Sequence, residues 1–183
     1  MSRIFGPLRQ NGFVVKDVER ALTHWTDVMG VGPFFLIDDQ PLNDFEYRGR
    51  PAAPSIRVAL AHTGGVQIEL IQQTNDEPSA FRDFLRAGHE GLQHVAFWTT
   101  AFDADMARAR RHGLEVLQSG RSGSGAPDER FAYFTVQDHP GTVIELSETR
   151  GRKGALFQAV EEAARTWDGT DPVRPMAALL DRR

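Results

Sequence analysis

Cysteine is absent from the 183-residue chain. That absence excludes disulfide scaffolds, thiolate metal sites and cysteine nucleophiles together, and it agrees with a cytoplasmic location. An excess of positive charge is missing too: the formal net charge is −4. Such a chain lacks the basic footprint of a nucleic-acid binder, so no nucleic-acid partner is expected. Long apolar runs are also lacking. The opening MSRIFGPLRQNGF reads as no signal peptide, and no stretch approaches a membrane span. What remains is an ordinary globular composition, 40% hydrophobic and 25% charged. It supplies a core without help from a disulfide or a structural metal, in one domain or two small fused halves.

The chain repeats itself, and a repeat governs the fold before any single motif does. From Gln10 it reads QNGFVVKDVERALTHWTDVMG, and from His94 HVAFWTTAFDADMARARRHG. Each copy opens with a strand-like apolar run, passes into an amphipathic helix and stops at a glycine, Gly30 or Gly113. Ala21, Leu22, Trp25 and Met29 carry the helical spacing in the first copy; Phe102, Met106 and Ala109 carry it in the second. The copies also end alike, in GGVQIEL (Gly64 to Leu70) and PGTVIEL (Pro140 to Leu146). Further strands are expected at 33–37, 56–62 and 66–71, then at 115–118, 131–136 and 142–146. The expectation is an α+β fold of two βαβββ modules, residues 8–73 and 92–148. Residues 74–91 form a linker with a short helix capped by Asn75 or Asp76, with Pro78 near its start. Residues 149–183 form a helical tail with Leu156, Val160, Ala163 and Trp167 on one face, packed on the domain or on a second subunit.

Two glutamates stand out. On a strand, alternate side chains share a face, so Glu69 opposes Ile68 and Leu70, and Glu145 opposes Ile144 and Leu146. His94 shares a face with Ala96 and Trp98, and Gln10 with Gly12. A buried carboxylate needs a cation or a proton. Taken singly, each residue reads as a solvent-facing or satisfied side chain. Their matching positions in two copies favour a common purpose. If the halves pair by pseudo-twofold symmetry, Gln10, Glu69, His94 and Glu145 converge, and that donor set suits Zn, Mn, Fe, Co or Ni.

QNGFVVKDVERAL, GVGPFF (Gly30 to Phe35), VQIELIQ, LQHVAF and TVIEL resemble the vicinal oxygen chelate superfamily, the glyoxalase, bleomycin-resistance and extradiol-dioxygenase group. The resemblance covers about residues 8 to 148. It implies a barrel-like cleft and one divalent metal ion, held by Gln10, Glu69, His94 and Glu145. The Gln, Glu, His, Glu order is similar to some glyoxalase I enzymes. GVGPFF and the NDEPS segment look closer to the methylmalonyl-CoA epimerase branch. That branch has His where Gln10 stands and Gln where Glu69 stands. Its second catalytic glutamate precedes the strand IRVAL, where this chain has Ala53. The extradiol iron triad needs two histidines, and His94 alone occupies a matching position.

The resemblance implies a metal-dependent isomerase, epimerase or lyase. It would abstract a proton next to a carbonyl of a small oxygenated substrate, through a metal-stabilised enolate. Glu145 is the candidate base and Glu69 the partner that returns the proton. The alternative is a metal-free small-molecule binding protein of the bleomycin-resistance type. Phe34, Phe35, Trp98, Phe131 and Tyr133 are candidates for an apolar pocket, although core packing explains such residues equally well. Arg57 is a candidate for an anionic group or an ordinary surface arginine. SGRSGSGAPDE (Ser119 to Glu129) reads as a loop that folds over the substrate or as a plain hairpin tip. His24, His62, His89, His112 and His139 match no ligand position; His139 alone stands near the expected pocket mouth. The tail helix is a candidate homodimer contact.

Overall fold

A computed structural model describes residues 1–135 and 143–180. The first repeat comprises β1 (Leu8–Val14), α1 (Val18–Thr23), β2 (Phe34–Ile37), β5 (Ile56–Thr63) and β6 (Val66–Gln73), with β3 (Leu42–Tyr47) and β4 (Arg50–Pro51) inserted. The second comprises β7 (Gly91–Thr99), α3 (Phe102–Arg111), β8 (Glu115–Ser122), β9 (Arg130–Thr135) and β10 (Val143–Glu148). Between them lies α2 (Ala80–Arg86), and after them α4 (Gly151–Arg165), β11 (Val173–Pro175) and α5 (Ala177–Leu180). The expected strand ends at Val136 and Thr142, and His139, lie outside the described residues.

The fold is α+β, of the vicinal oxygen chelate type. Among the described residues the strands form one sheet in the order β11, β2, β5, β6, β1, β7, β10, β9, β8, β3, β4. The order within each repeat is the same. First and last strands run parallel, as β1 with β6 and β7 with β10, and the repeats join through antiparallel β1 and β7. The sheet stays open, with β11 and β4 at its edges. β2 lies near one edge and β3 near the other, yet only residues 38–41 separate them in the chain. So short a connection reaches at most about 3.3–3.6 Å per residue, so the open sheet must curl until its edges approach. Its concave face is the cleft.

Alternation along the strands sorts the core. Ile68 and Leu70 pack beneath α1 with Val18, Leu22 and Phe34. Leu146, Ala132 and Phe134 pack beneath α3 with Phe102 and Ala109. The opposite faces of the same strands look into the cleft, where Ile71, Phe131 and Tyr133 meet Phe157 and Val160 of α4.

Three local expectations change. The helix from Val18 widens into a single π turn at His24–Val28, which displaces the face by one residue. Met29 is consequently 54% exposed rather than packed with Leu22. The cap of α2 is Ser79, whose hydroxyl accepts from Arg82 N at 2.9 Å. Asn75 instead ties down the Ser55 region, and Asp76 pairs with Arg86. The tail helix packs on the chain's own cleft, and Trp167 lies past its end, over Gly32. No described helix is long and apolar enough to cross a membrane.

Candidate metal centre

Pseudo-twofold register sets the site. Gln10 lies opposite Ala96 across the β1–β7 seam, and His94 lies opposite Gly12. On the flanking parallel strands Glu69 pairs with Gly12, and Glu145 pairs with Ala96. Each glutamate therefore enters beside a small residue, and the donors turn toward the seam. Ligand atoms of Glu69, His94 and Glu145 all lie within 4.8 Å of one another. Gln10 is 1% exposed and lines the same cavity.

The hydrogen-bond network orients the imidazole. Gln93 donates its amide nitrogen to Ala80 O at 3.2 Å, which turns its oxygen toward His94 Nδ1, 2.8 Å away. An amide oxygen only accepts, so Nδ1 carries a proton and Nε2 faces the cavity. His94 Nε2 stands 3.3 Å from Glu69 Oε2, 3.2 Å from Glu145 Oε2 and 3.2 Å from the Tyr133 hydroxyl. Both carboxylate oxygens are close but poorly aligned for hydrogen bonding. Together with Gln10 Oε1 they are buried acceptors without a hydrogen-bond partner. Buried acceptors are rarely left so. A divalent ion accepts lone pairs from these acceptors and from a neutral imidazole at once, and the donor set fits it.

The electrostatics of the cluster follow from its burial. Burial alone would lower the pKa of His94, but the carboxylates of Glu145 and Glu69 outweigh it and push the value up to about 9. Burial, reinforced by the charge of Glu145, raises Glu69. Glu145 is held low by His94 in spite of its burial. Burial and both carboxylates raise Tyr133 well above the usual phenol range, so its hydroxyl remains a donor.

A cavity of about 470 Å³ opens from this cluster, within the usual range for small-molecule sites. Of the pocket candidates, Phe131 and Tyr133 line it. Phe34 is buried beneath α1, and Phe35 belongs to the cleft-side core without reaching the cavity. Trp98 stacks 4.9 Å from Phe157 at a separate depression. Arg57 is spent on ion pairs with Glu19 at 2.5 Å and Asp38 at 2.6 Å, away from the cavity. Ala53 is exposed and not in the wall. The Gly/Ser segment is held at the mouth: Glu129 accepts from Ser124 Oγ and Ala126 N, and Ser122, Gly123 and Ser124 line the opening. Among the described histidines none besides His94 joins the cluster.

Sequence reasoning missed three residues. A Cβ on Gly12 would lie 1.8 Å from His94 Cε1, so only glycine lets the imidazole lie across β1. A glycine inside a strand was the available signal. Gln93 had no signal beyond its place next to His94. Lys153 lies 8% exposed in the cavity wall, one helical turn before Leu156 and Phe157 on the buried face of α4. A lysine on an apolar helical stripe was the clue there.

The model of the glyoxalase/bleomycin resistance protein/dioxygenase superfamily matches residues 9–133. The chain belongs to this superfamily. No curated protein matches it. Among solved structures, methylmalonyl-CoA epimerase from Mycobacterium tuberculosis is similar at 24% identity and TM-score 0.61, over 85% of this chain and 95% of that one. A Streptomyces coelicolor methylmalonyl-CoA epimerase in complex with 2-nitronate-propionyl-CoA is similar at 21% identity and TM-score 0.52, over 76% and 92%. A 4-hydroxymandelate synthase mutant from Streptomyces coelicolor is similar at 17% identity and TM-score 0.54, over 76% of this chain and 37% of that one. At these identities the likeness concerns the superfamily fold.

Proposed function

We propose that this superfamily member is a divalent-metal-dependent isomerase, epimerase or lyase that moves a proton next to a carbonyl of a small substrate. The observation that carries the reading is the convergence of two buried carboxylate oxygens without hydrogen-bond partners on the Nε2 of His94, in a cavity that the equally unpartnered Gln10 Oε1 also lines. Glu69, His94 and Glu145, with Gln10 beside them, would hold the ion. When bound there, a divalent ion polarises a carbonyl as a Lewis acid and stabilises the negative charge that develops on it.

The chain's own residues supply the rest. Glu145, kept ionised, accepts the proton from carbon. Glu69 enters from the other repeat and returns a proton from the opposite side, a division that two carboxylates of unlike environment can sustain. Tyr133 offers its hydroxyl as a donor inside the same cavity. The curled sheet and α4 exclude water, which strengthens each of these interactions. The described cluster has one imidazole and two carboxylates, which disfavours an extradiol-type site.

Elemental analysis of protein purified without chelators or a histidine tag tests the reading, beside Glu145→Ala. The expected result is close to one divalent ion per chain in the native protein and loss in the variant. Metal-loaded protein should then exchange deuterium from solvent into 2-oxo acids, hemithioacetals or acyl thioesters. No uptake of Zn, Mn, Co or Ni by the native protein would overturn the reading in favour of a metal-free binding protein.

A further inference from the structure

Helix α4 brings a cation into the cleft that the two repeats do not contain. Lys153 stands in the first turn of α4, 8% exposed, in the wall that also holds Glu69, Glu145 and Tyr133. Its Nζ makes one hydrogen bond, 3.3 Å to Arg130 O, and lies 5.9 Å from the centroid of the Phe131 ring. An ammonium carries three donors, so two are uncommitted in a cavity walled largely by Ile37, Leu42, Ile56, Leu60 and Phe81. Among the described residues no carboxylate lies within ion-pair distance of it. A buried charge so placed is costly without a partner.

We propose that Lys153 anchors a carboxylate of the substrate, and that the substrate class is a monoanionic 2-oxo or 2-hydroxy acid with an apolar body. This rests on the metal-site reading above. The uncommitted ammonium decides the class: one substrate carboxylate supplies the partner that Lys153 lacks, and a neutral substrate leaves that charge buried without one. At the mouth, Glu129 is held by its own loop, and the exposed Arg152 lines the same cavity. Burial lowers the pKa of Lys153, and the fields of Glu145 and Glu69 oppose that most strongly. An entering carboxylate adds to their side and favours the ammonium.

Calorimetric titration with 4-methyl-2-oxopentanoate and with its methyl ester tests the anchor, on metal-loaded native protein and on Lys153→Met. A charge-assisted hydrogen bond of this kind predicts that the native protein prefers the acid by roughly 10- to 100-fold. Lys153→Met should lose that preference, keep its affinity for the ester and keep its metal content. Equal affinity for acid and ester in the native protein, no binding of the acid at millimolar concentration, or a preference that survives in Lys153→Met, each overturns the anchor. Metal content on the same samples separates the two claims. A protein that holds no ion yet prefers the acid through Lys153 refutes the metal reading and sustains the anchor. The acid-against-ester comparison in native protein does not depend on the variant's folding.

Discussion

At the scale of the residue, the centre depends on residues outside the ligand cluster. Gly12 gives the imidazole its bed: with a Cβ there, His94 Nε2 would be 2.0 Å away. Gly12→Ala should therefore lose metal uptake while far-ultraviolet circular dichroism stays that of the native sheet. Gln93 fixes the tautomer by accepting from Nδ1 at 2.8 Å. Gln93→Leu should weaken divalent-ion affinity about 10- to 100-fold, read by competition with a chromophoric chelator. The glutamates were legible because each breaks an apolar alternation at the same place in two copies. The roles of Gly12 and Gln93 were not: that of Gly12 exists only across the β1–β7 seam, and that of Gln93 depends on Ala80 of α2, contacts no local pattern encodes.

At the scale of the element, strand and helix periods disclosed the repeat, while partners remote in sequence stayed hidden. β3 belongs in sequence to the first repeat and in space to the second, where Leu42 pairs with Ser122 and Tyr47 with Gln118. β11 pairs with β2 from far along the chain. Neither has an apolar alternation strong enough to announce it. α2 shows how a small element reaches the centre. Ser79 caps it, and its first residue, Ala80, accepts from Gln93 and is itself held by Gln118 Oε1 at 2.8 Å. Ser79→Ala should cost about 1 kcal/mol, measured as a lower urea midpoint, and should weaken metal binding in the same direction as Gln93→Leu. An unchanged metal affinity would separate the cap from the centre.

At the scale of the whole molecule, β9, β10 and α3 are joined by charge. Glu148 is fully buried and accepts from Arg130 Nε at 2.6 Å and from Arg150 at 3.1 Å; Arg130 also reaches Asp103 at 2.8 Å. Burial alone would raise the pKa of Glu148, but these guanidinium groups outweigh it and hold the value low. A depressed carboxylate contributes its full stability above the unfolded value of about 4.3 and loses it as pH falls through the folded value. Thermal unfolding should show a steep loss below about pH 4.3. Glu148→Gln should start lower at neutral pH and lose less over that acid window. The tail could be read from sequence as an apolar-faced helix, but not which surface it would cover. Its choice of the concave face depends on the curl of the sheet, a property of all the strands together.

That choice also sets the order in which the centre is assembled during synthesis. Gln10 and Glu69 leave the ribosome before His94, and Glu145 and Lys153 follow it. Domains take shape from the N-terminus as the chain emerges. A nascent first repeat therefore presents Glu69 on a half-built sheet, with neither the imidazole of His94 nor α4 beside it. The complete set of charges meets only after the second repeat and α4 have emerged, so an ion captured earlier would have too few donors to be retained.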